Sequence, residues 1–187
     1  CNAAWGGQEG LWRSDGSSAG TIFVAAVGCW QNSIGKRSTM SVSLDGILYF
    51  QGQEASPGPV GPELWRSDGT SGGTWRVKDI MPGDDGSWPS GLAWLGNQLL
   101  FAASGPSGGQ ELWQSDGTAA GTVLVKDINT TTATAGSAPA SFASLGGLLV
   151  FIANDGVAGA ELWATDGTGA NTSLVKNING TSAASGL

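Results

Sequence analysis

The chain contains no histidine in its 187 residues. That removes Ser-His-Asp and Cys-His nucleophile activation, histidine metal ligation and the commonest general base. Positive charge is also scarce: eight Lys and Arg stand against fifteen Asp and Glu, a net charge of −7. Lys36-Arg37 is the only adjacent basic pair, and the pI is near 4.3. Nothing here tracks a phosphate backbone, so nucleic acid is not an expected partner. No run of 18 apolar residues occurs, and no membrane insertion is expected. Two cysteines, Cys1 and Cys29, are too few for a structural zinc site. No stretch holds a helical 3.6-residue periodicity for three turns. The chain shows no signal peptide and starts at Cys1, which reads as a mature or fragmentary piece of a longer polypeptide.

What is abundant is glycine, at 32 residues, within a chain that is 40% hydrophobic. Glycines between β-branched and aromatic runs indicate short strands and tight turns, an all-β fold. The runs repeat. Gly10-Leu-Trp-Arg-Ser-Asp-Gly-Ser17, Glu63-Leu-Trp-Arg-Ser-Asp-Gly-Thr70, Glu111-Leu-Trp-Gln-Ser-Asp-Gly-Thr118 and Glu161-Leu-Trp-Ala-Thr-Asp-Gly-Thr168 align. Their tryptophans, Trp12, Trp65, Trp113 and Trp163, are spaced 53, 48 and 50 residues apart.

Each motif is followed by an apolar run (21–27, 74–80, 122–128 and 172–178). Before three of them lie two more runs joined by Asp45-Gly46, Gly96-Asn97 or Gly146-Gly147. A full repeat therefore reads strand, two-residue turn, strand, loop, Leu-Trp strand, Asp-Gly turn, strand: a four-stranded antiparallel meander of about 50 residues. The repeats are placed at 1–33 (partial), 34–83, 84–133 and 134–180, and 181–187 begins a further strand. All of 1–187 is then one repeat domain. Asp15, Asp68, Asp116 and Asp166 with their glycines are turn formers, and the repeated Trp is expected to pack against a neighbouring repeat. Glu63, Glu111 and Glu161 each precede a lysine by 15 residues (Lys78, Lys126, Lys176), whereas the first repeat has Gly10 and Ala25. Loss of both together suggests an ion pair across two strands, worth at most about 1 kcal/mol if exposed.

Four-stranded meanders recurring every 40–50 residues are the signature of β-propeller blades. The pattern Glu-Leu-Trp-x-Ser-Asp-Gly-Thr-x-x-Gly-Thr-x-x-Val-Lys-Asp-Ile resembles the ELWxxDGT repeats of large secreted or surface proteins of bacteria and algae. Residues 111–128 fit every fixed position, while Ser17, Asn171 and Asn177 depart from it. The resemblance implies a propeller-like fold, an extracellular setting and no catalytic residues. The composition would suit an algal surface glycoprotein such as a mastigoneme-like ciliary protein. The chain is read as an arc of a larger ring, because Thr181–Leu187 is short and weakly apolar. The alternative is a four-bladed ring closed by that tail.

Three N-x-Ser/Thr sequons, at Asn129, Asn171 and Asn179, fall where loops are expected and favour secretion and N-glycosylation. In an oxidising compartment Cys1 and Cys29 can form a disulfide. Among tryptophans outside the motif, Trp75 and Trp94 are placed in the core. Trp5, Trp30 and Trp88 fall in loops, where they either plug their own loop or offer a contact surface for sugar or protein. A glycosidase would need two carboxylates, and Glu54, Asp84, Asp85 and Asp155 are the candidates; solvated loop acids are the plainer reading. Asp84-Asp85-Gly86 and Asn154-Asp155-Gly156 could take calcium but lack the dense spacing of a calcium loop, so no cofactor is expected. The expected function is a non-catalytic structural or assembly module of an extracellular glycoprotein. Its partners would be further repeats or other subunits, and its glycans. A lectin-like propeller is the alternative, and a glycosidase comes last.

Overall fold

Runs of β-branched and aromatic residues cut by glycine become strands because such side chains fit a pleated, half-buried surface. The computed structural model describes residues 10–28, 41–54, 61–178 and Gly180. Among them there are strands and no helix. The first repeat gives β1 (Leu11–Arg13), β2 (Ile22–Ala25) and β3 (Val27–Gly28). The second gives β4 (Ser41–Leu44), β5 (Ile47–Glu54), β6 (Glu63–Ser67) and β7 (Thr74–Arg76). The third gives β8 (Ser90–Leu95), β9 (Gln98–Ser104), β10 (Gln110–Ser115) and β11 (Val123–Lys126). The fourth gives β12 (Ala140–Leu145), β13 (Leu148–Asn154), β14 (Ala160–Thr165) and β15 (Ser173–Lys176).

The chain divides into two compact units, the first up to Trp88 and the second from Pro89. In the first, β1 and β2 form a hairpin, β5 pairs with β3, β4 and β6, and β6 pairs with β7. In the second, β8-β9-β10-β11 and β12-β13-β14-β15 are two antiparallel four-stranded meanders. The hairpin turns have the backbone their glycines permit: φ is 51° at Asp45, 78° at Gly46, 58° at Gly96 and 58° and 85° at Gly146 and Gly147.

Burial places Trp65 and Trp163 against the preceding repeat. In the first unit Trp65 and Phe50 share a core with Leu11, Val24 and Val27 of the first repeat. In the second unit Trp163, Phe151 and Leu149 of the fourth repeat join Leu100, Leu112 and Ile128 of the third. Phe142 stacks on Phe151 at 5.4 Å. Gly91 of β8 faces the same ring, where a Cβ would lie 2.5 Å from it, so glycine is what lets β8 approach β12. The central strand β9 has Leu99, Leu100, Phe101, Ala102 and Ala103 fully buried, both faces covered. On β13 the buried residues alternate (Leu149, Phe151, Ala153), the pattern of a strand covered on one face.

Three details differ from the sequence reading. The last strands β7, β11 and β15 stop after three or four residues, two to four residues before Ile80, Ile128 and Ile178. Strand β5 runs on to Glu54, which pairs with Val27 rather than lying in an irregular loop. Trp75 is not core: it is 42% exposed, with the Arg66 guanidinium 4.6 Å from its ring centroid.

Phe151→Ala removes a fully buried ring from the two-meander core and should cost about 3–5 kcal/mol. A urea titration followed by far-ultraviolet circular dichroism measures it; a loss below about 1 kcal/mol would contradict the packing described.

Candidate functional site

The residues that repeat were the first candidates for function, and their bonding is internal. In the third repeat the Ser115 and Thr122 hydroxyls pair at 2.8 Å across the strand ends. Gly117 N–H donates to Ser115 Oγ, and Thr118 donates from both its N–H and its hydroxyl to Asp116 Oδ1 at 2.8 and 2.7 Å. Gly121 N–H then donates to Thr118 Oγ1, and the Thr122 hydroxyl to Thr118 O. Such short polar side chains replace backbone partners at turns. The same network forms around Asp15, Asp68 and Asp166. In the first repeat Ser17 stands for the threonine and donates equally well.

The glycine before the second threonine is a space requirement. A Cβ at Gly20, Gly73 or Gly121 would sit within 2.1 Å of the aspartate carboxylate. The fourth repeat departs with Asn171, whose Nδ2 donates to Asp166 Oδ2 at 2.6 Å. Hydrogen bonds hold all four aspartates below the ordinary carboxylate range. The threonine hydroxyl is the main cause at Asp68, Asp116 and Asp166, and the Ser17 N–H at Asp15.

The glutamates do something the sequence did not suggest. Glu111 is 5% exposed and Glu63 fully buried. Glu111 accepts from Ile128 N–H, Ser137 N–H and the Ser137 hydroxyl at 2.6–2.9 Å. Glu63 accepts from the N–H groups of Ile80, Met81 and Ser87 and from the Ser87 hydroxyl. Each carboxylate thus ties the end of its own meander to the segment that leads into the next. Burial pushes the Glu63 pKa up, against the lowering effect of its donors.

In the third repeat this overturns the expected glutamate–lysine pair, Glu111 with Lys126. A bulge between Leu112 and Trp113 sets Lys126 opposite Leu112, out of register with Glu111. The same bulge sets Lys176 opposite Leu162. Lys126 Nζ reaches the Gly169 and Thr172 carbonyls of the fourth repeat instead, at 3.4 and 2.8 Å. In the first repeat Gly10 leaves no room for glutamate, since a Cβ there would lie 2.3 Å from Ala25 O.

The receiving serines belong to a motif the sequence reading missed, Gly86-Ser87-Trp88-Pro89 and Gly136-Ser137-Ala138-Pro139. Trp88 and Ala138 share an unusual φ of 51° and 47°, while the N–H of each bonds the carbonyl of Pro62 or Gln110. Gly61 with Gly86, and Gly109 with Gly136, bring backbones too close for any Cβ. Extending the repeat alignment past each Asp-Ile would have exposed this recurrence.

Trp88 is 38% exposed, but its indole N–H donates to Asp85 O at 2.6 Å, binding the ring to its own loop. Asn129 is 7% exposed. Its amide donates to Gly136 O and its Oδ1 accepts from Thr131, so this sequon builds a loop. Asn171 is exposed. Trp5, Trp30, Cys1, Cys29 and Asn179 lie outside the described residues. Glu54, Asp84 and Asp85 are exposed. Asp155 Oδ1 accepts from the N–H groups of Val157 and Ala158, a turn. Among the described residues no group of three Cys, Asp or Glu could hold a metal ion. No protein family, curated protein or solved structure matches the chain.

Glu111→Ala strands buried N–H groups of Ile128 and Ser137 and should cost about 2–5 kcal/mol; Ser137→Ala should cost about 1 kcal/mol. Equal costs in a urea titration would rule out the latch. The aspartates have a definite sign in pH. A carboxylate with a lowered pKa stabilises the fold above its unfolded value of about 4, and that contribution disappears as pH falls through the folded value. Asp116→Asn should therefore be less stable than the parent at pH 7, with the gap closing towards pH 3. Glu63, raised by burial, acts oppositely: its contribution is full in acid and declines as pH rises through its raised pKa.

Proposed function

We propose that the chain is a non-catalytic structural or assembly module of a large secreted glycoprotein, its meanders serving as β-propeller blades. The observation that carries this reading is the identity of the turn network in four repeats: Asp15, Asp68, Asp116 and Asp166 bond their own loops. Residues that recur at every repeat are thereby accounted for by folding, and chemistry at them is not required. The blade reading is supported by the four-strand meander order and by the shared core between consecutive meanders in the second unit.

A need for partners is supported by the fourth repeat. Leu145, Leu148, Val175 and Ile178 are each more than 40% exposed, and β12 and β15 are edge strands of their sheet. Exposed apolar residues beside unpaired edges suit a further repeat or another subunit. The extracellular part of the reading rests on the sequons, of which the exposed Asn171 is the favoured glycan carrier. A lectin-like role is the second reading, favoured by the exposed Trp88 face.

Expression of the full-length protein in a secreting eukaryotic cell tests the proposal. The expected product enters the medium, loses mass on enzymatic N-deglycosylation in a manner abolished by Asn171→Gln, and sediments as an assembly. A monodisperse, unglycosylated monomer would overturn it. Binding on a glycan array that Trp88→Ala removes would favour the lectin.

A further inference from the structure

Neighbouring repeats meet in the same way in both compact units. In the first unit Leu11, Val24 and Val27 of the first repeat pack with Phe50 and Trp65 of the second. In the second unit the matching trio of the third repeat, Leu112, Val125 and Ile128, packs with Phe151 and Trp163 of the fourth. The trio of the second repeat, Leu64, Val77 and Ile80, is buried as well. The fourth repeat carries it at Leu162, Val175 and Ile178, and there it is uncovered. Val175 is 54% and Ile178 57% exposed, and Leu162 is only half-buried. Leu145 at the end of β12 is 65% exposed, whereas its counterpart Leu95 packs on the shared core.

The backbone under this face repeats that of the third meander. Leu162 stands opposite Lys176 as Leu112 stands opposite Lys126, with the bulge in the same place. The polar part of the contact is also present in duplicate. Lys126 Nζ donates to the Gly169 and Thr172 carbonyls of the next repeat, and its counterpart Lys176 is exposed. What such a face receives is the opposite side of a repeat, headed by the motif tryptophan. In the first repeat that side holds Trp12 and Phe23, their ring centroids 5.4 Å apart and both half-buried. They stand where the fourth repeat has Trp163 and Leu174, which belong to the core shared with the third. Ser18 takes the place of Gly169, as Ser71 does in the second repeat, and the second repeat packs on the first with that serine in place.

We propose that the uncovered face of the fourth repeat docks a second copy of this chain, head to tail, on the Trp12–Phe23 side of that copy's first repeat. Leu162, Val175 and Ile178 then meet aromatic rings as the trios of the first and third repeats do, and Lys176 donates to backbone carbonyls of the copy's first turn. Unlike surfaces meet, so association is not confined to a two-fold dimer. This rests on the assembly reading and names its partner. Sedimentation velocity of the 187-residue chain at rising concentration reads the association. A single sheet face lies at the small end of specific interfaces, so the expected midpoint is about 10–100 µM. Val175→Asp should weaken association at least tenfold. Val157→Asp, at a 61% exposed position in the loop between β13 and β14, should leave it unchanged. NMR reads which faces meet. The isotope-labelled Val175→Asp chain, its own fourth-repeat face blocked, is titrated with unlabelled parent, and the Phe23 amide and Trp12 indole signals should shift saturably. Melting followed by circular dichroism checks that the variants fold. Should Val175→Asp not fold, Ile178→Asp, beyond the end of β15, takes its place. The proposal is overturned if the parent stays monomeric to about 500 µM, far above the expected range. It is equally overturned if Val175→Asp and Val157→Asp associate alike, or if the Phe23 and Trp12 signals stay still. Full-length protein carrying Val175→Asp separates the two readings: an assembly that persists overturns the docking alone, and a monomeric full-length parent overturns both.

Discussion

Placing a carboxylate out of water is expensive unless several donors converge on it, and in this protein two such groups tie the end of a meander to the segment that follows it. Glu63 and Glu111 collect N–H and hydroxyl donors from two separate segments, the end of their own meander and the serine ahead of the next first strand. Many local features follow. Beyond β7 and β11 the N–H groups of Ile80, Met81 and Ile128 turn toward the carboxylate instead of continuing a strand. The Gly-Ser-x-Pro segments adopt positive φ at Trp88 and Ala138 so that the serine N–H and hydroxyl point at one acceptor. The glycine pairs Gly61 with Gly86 and Gly109 with Gly136 exist because two backbones must touch for the serine to arrive. The first repeat, with Gly10 in the glutamate's place, instead packs its own Ala25 carbonyl into that space.

The aspartate turns solve a different problem. The six-residue connection between β6 and β7, and the seven-residue one between β14 and β15, would be loose if only backbone closed them. Here an aspartate and two or three hydroxyls bond one another across the loop, with the glycine omitted only where Asn171 can donate to Asp166. The two devices respond oppositely to pH: ionisation is favoured at the exposed aspartates and penalised at the buried Glu63.

Strand positions and turn chemistry were readable from the repeat because they depend on short-range properties. The run before the Asp45-Gly46 turn is a strand, Ser41–Leu44. The positive φ of Gly46, Gly69 and Gly117 follows from Asp-Gly having no better local conformation. Burial of Trp65, Trp113 and Trp163 was foreseeable from size and recurrence. The Glu111–Lys126 pair was misread because equal spacing in sequence does not fix register. One bulge between Leu112 and Trp113 shifts the lysine opposite Leu112 and frees it to reach the Gly169 carbonyl. Asn129 looked like a surface sequon, yet its amide is spent on Gly136 O. Trp75 looked like core, yet it stacks on Arg66 in the open.

By itself the sequence determined an all-β chain, the four-strand repeat, its turn residues and the absence of histidine chemistry, since these depend on composition and on neighbours within a few positions. Only the tertiary structure decided which polar groups would be buried together. Glu111 lies 26 residues from Ser137, and Lys126 lies 46 from Thr172. Contacts across such distances depend on bulges, strand ends and the approach of glycine backbones, none of which a periodic pattern encodes.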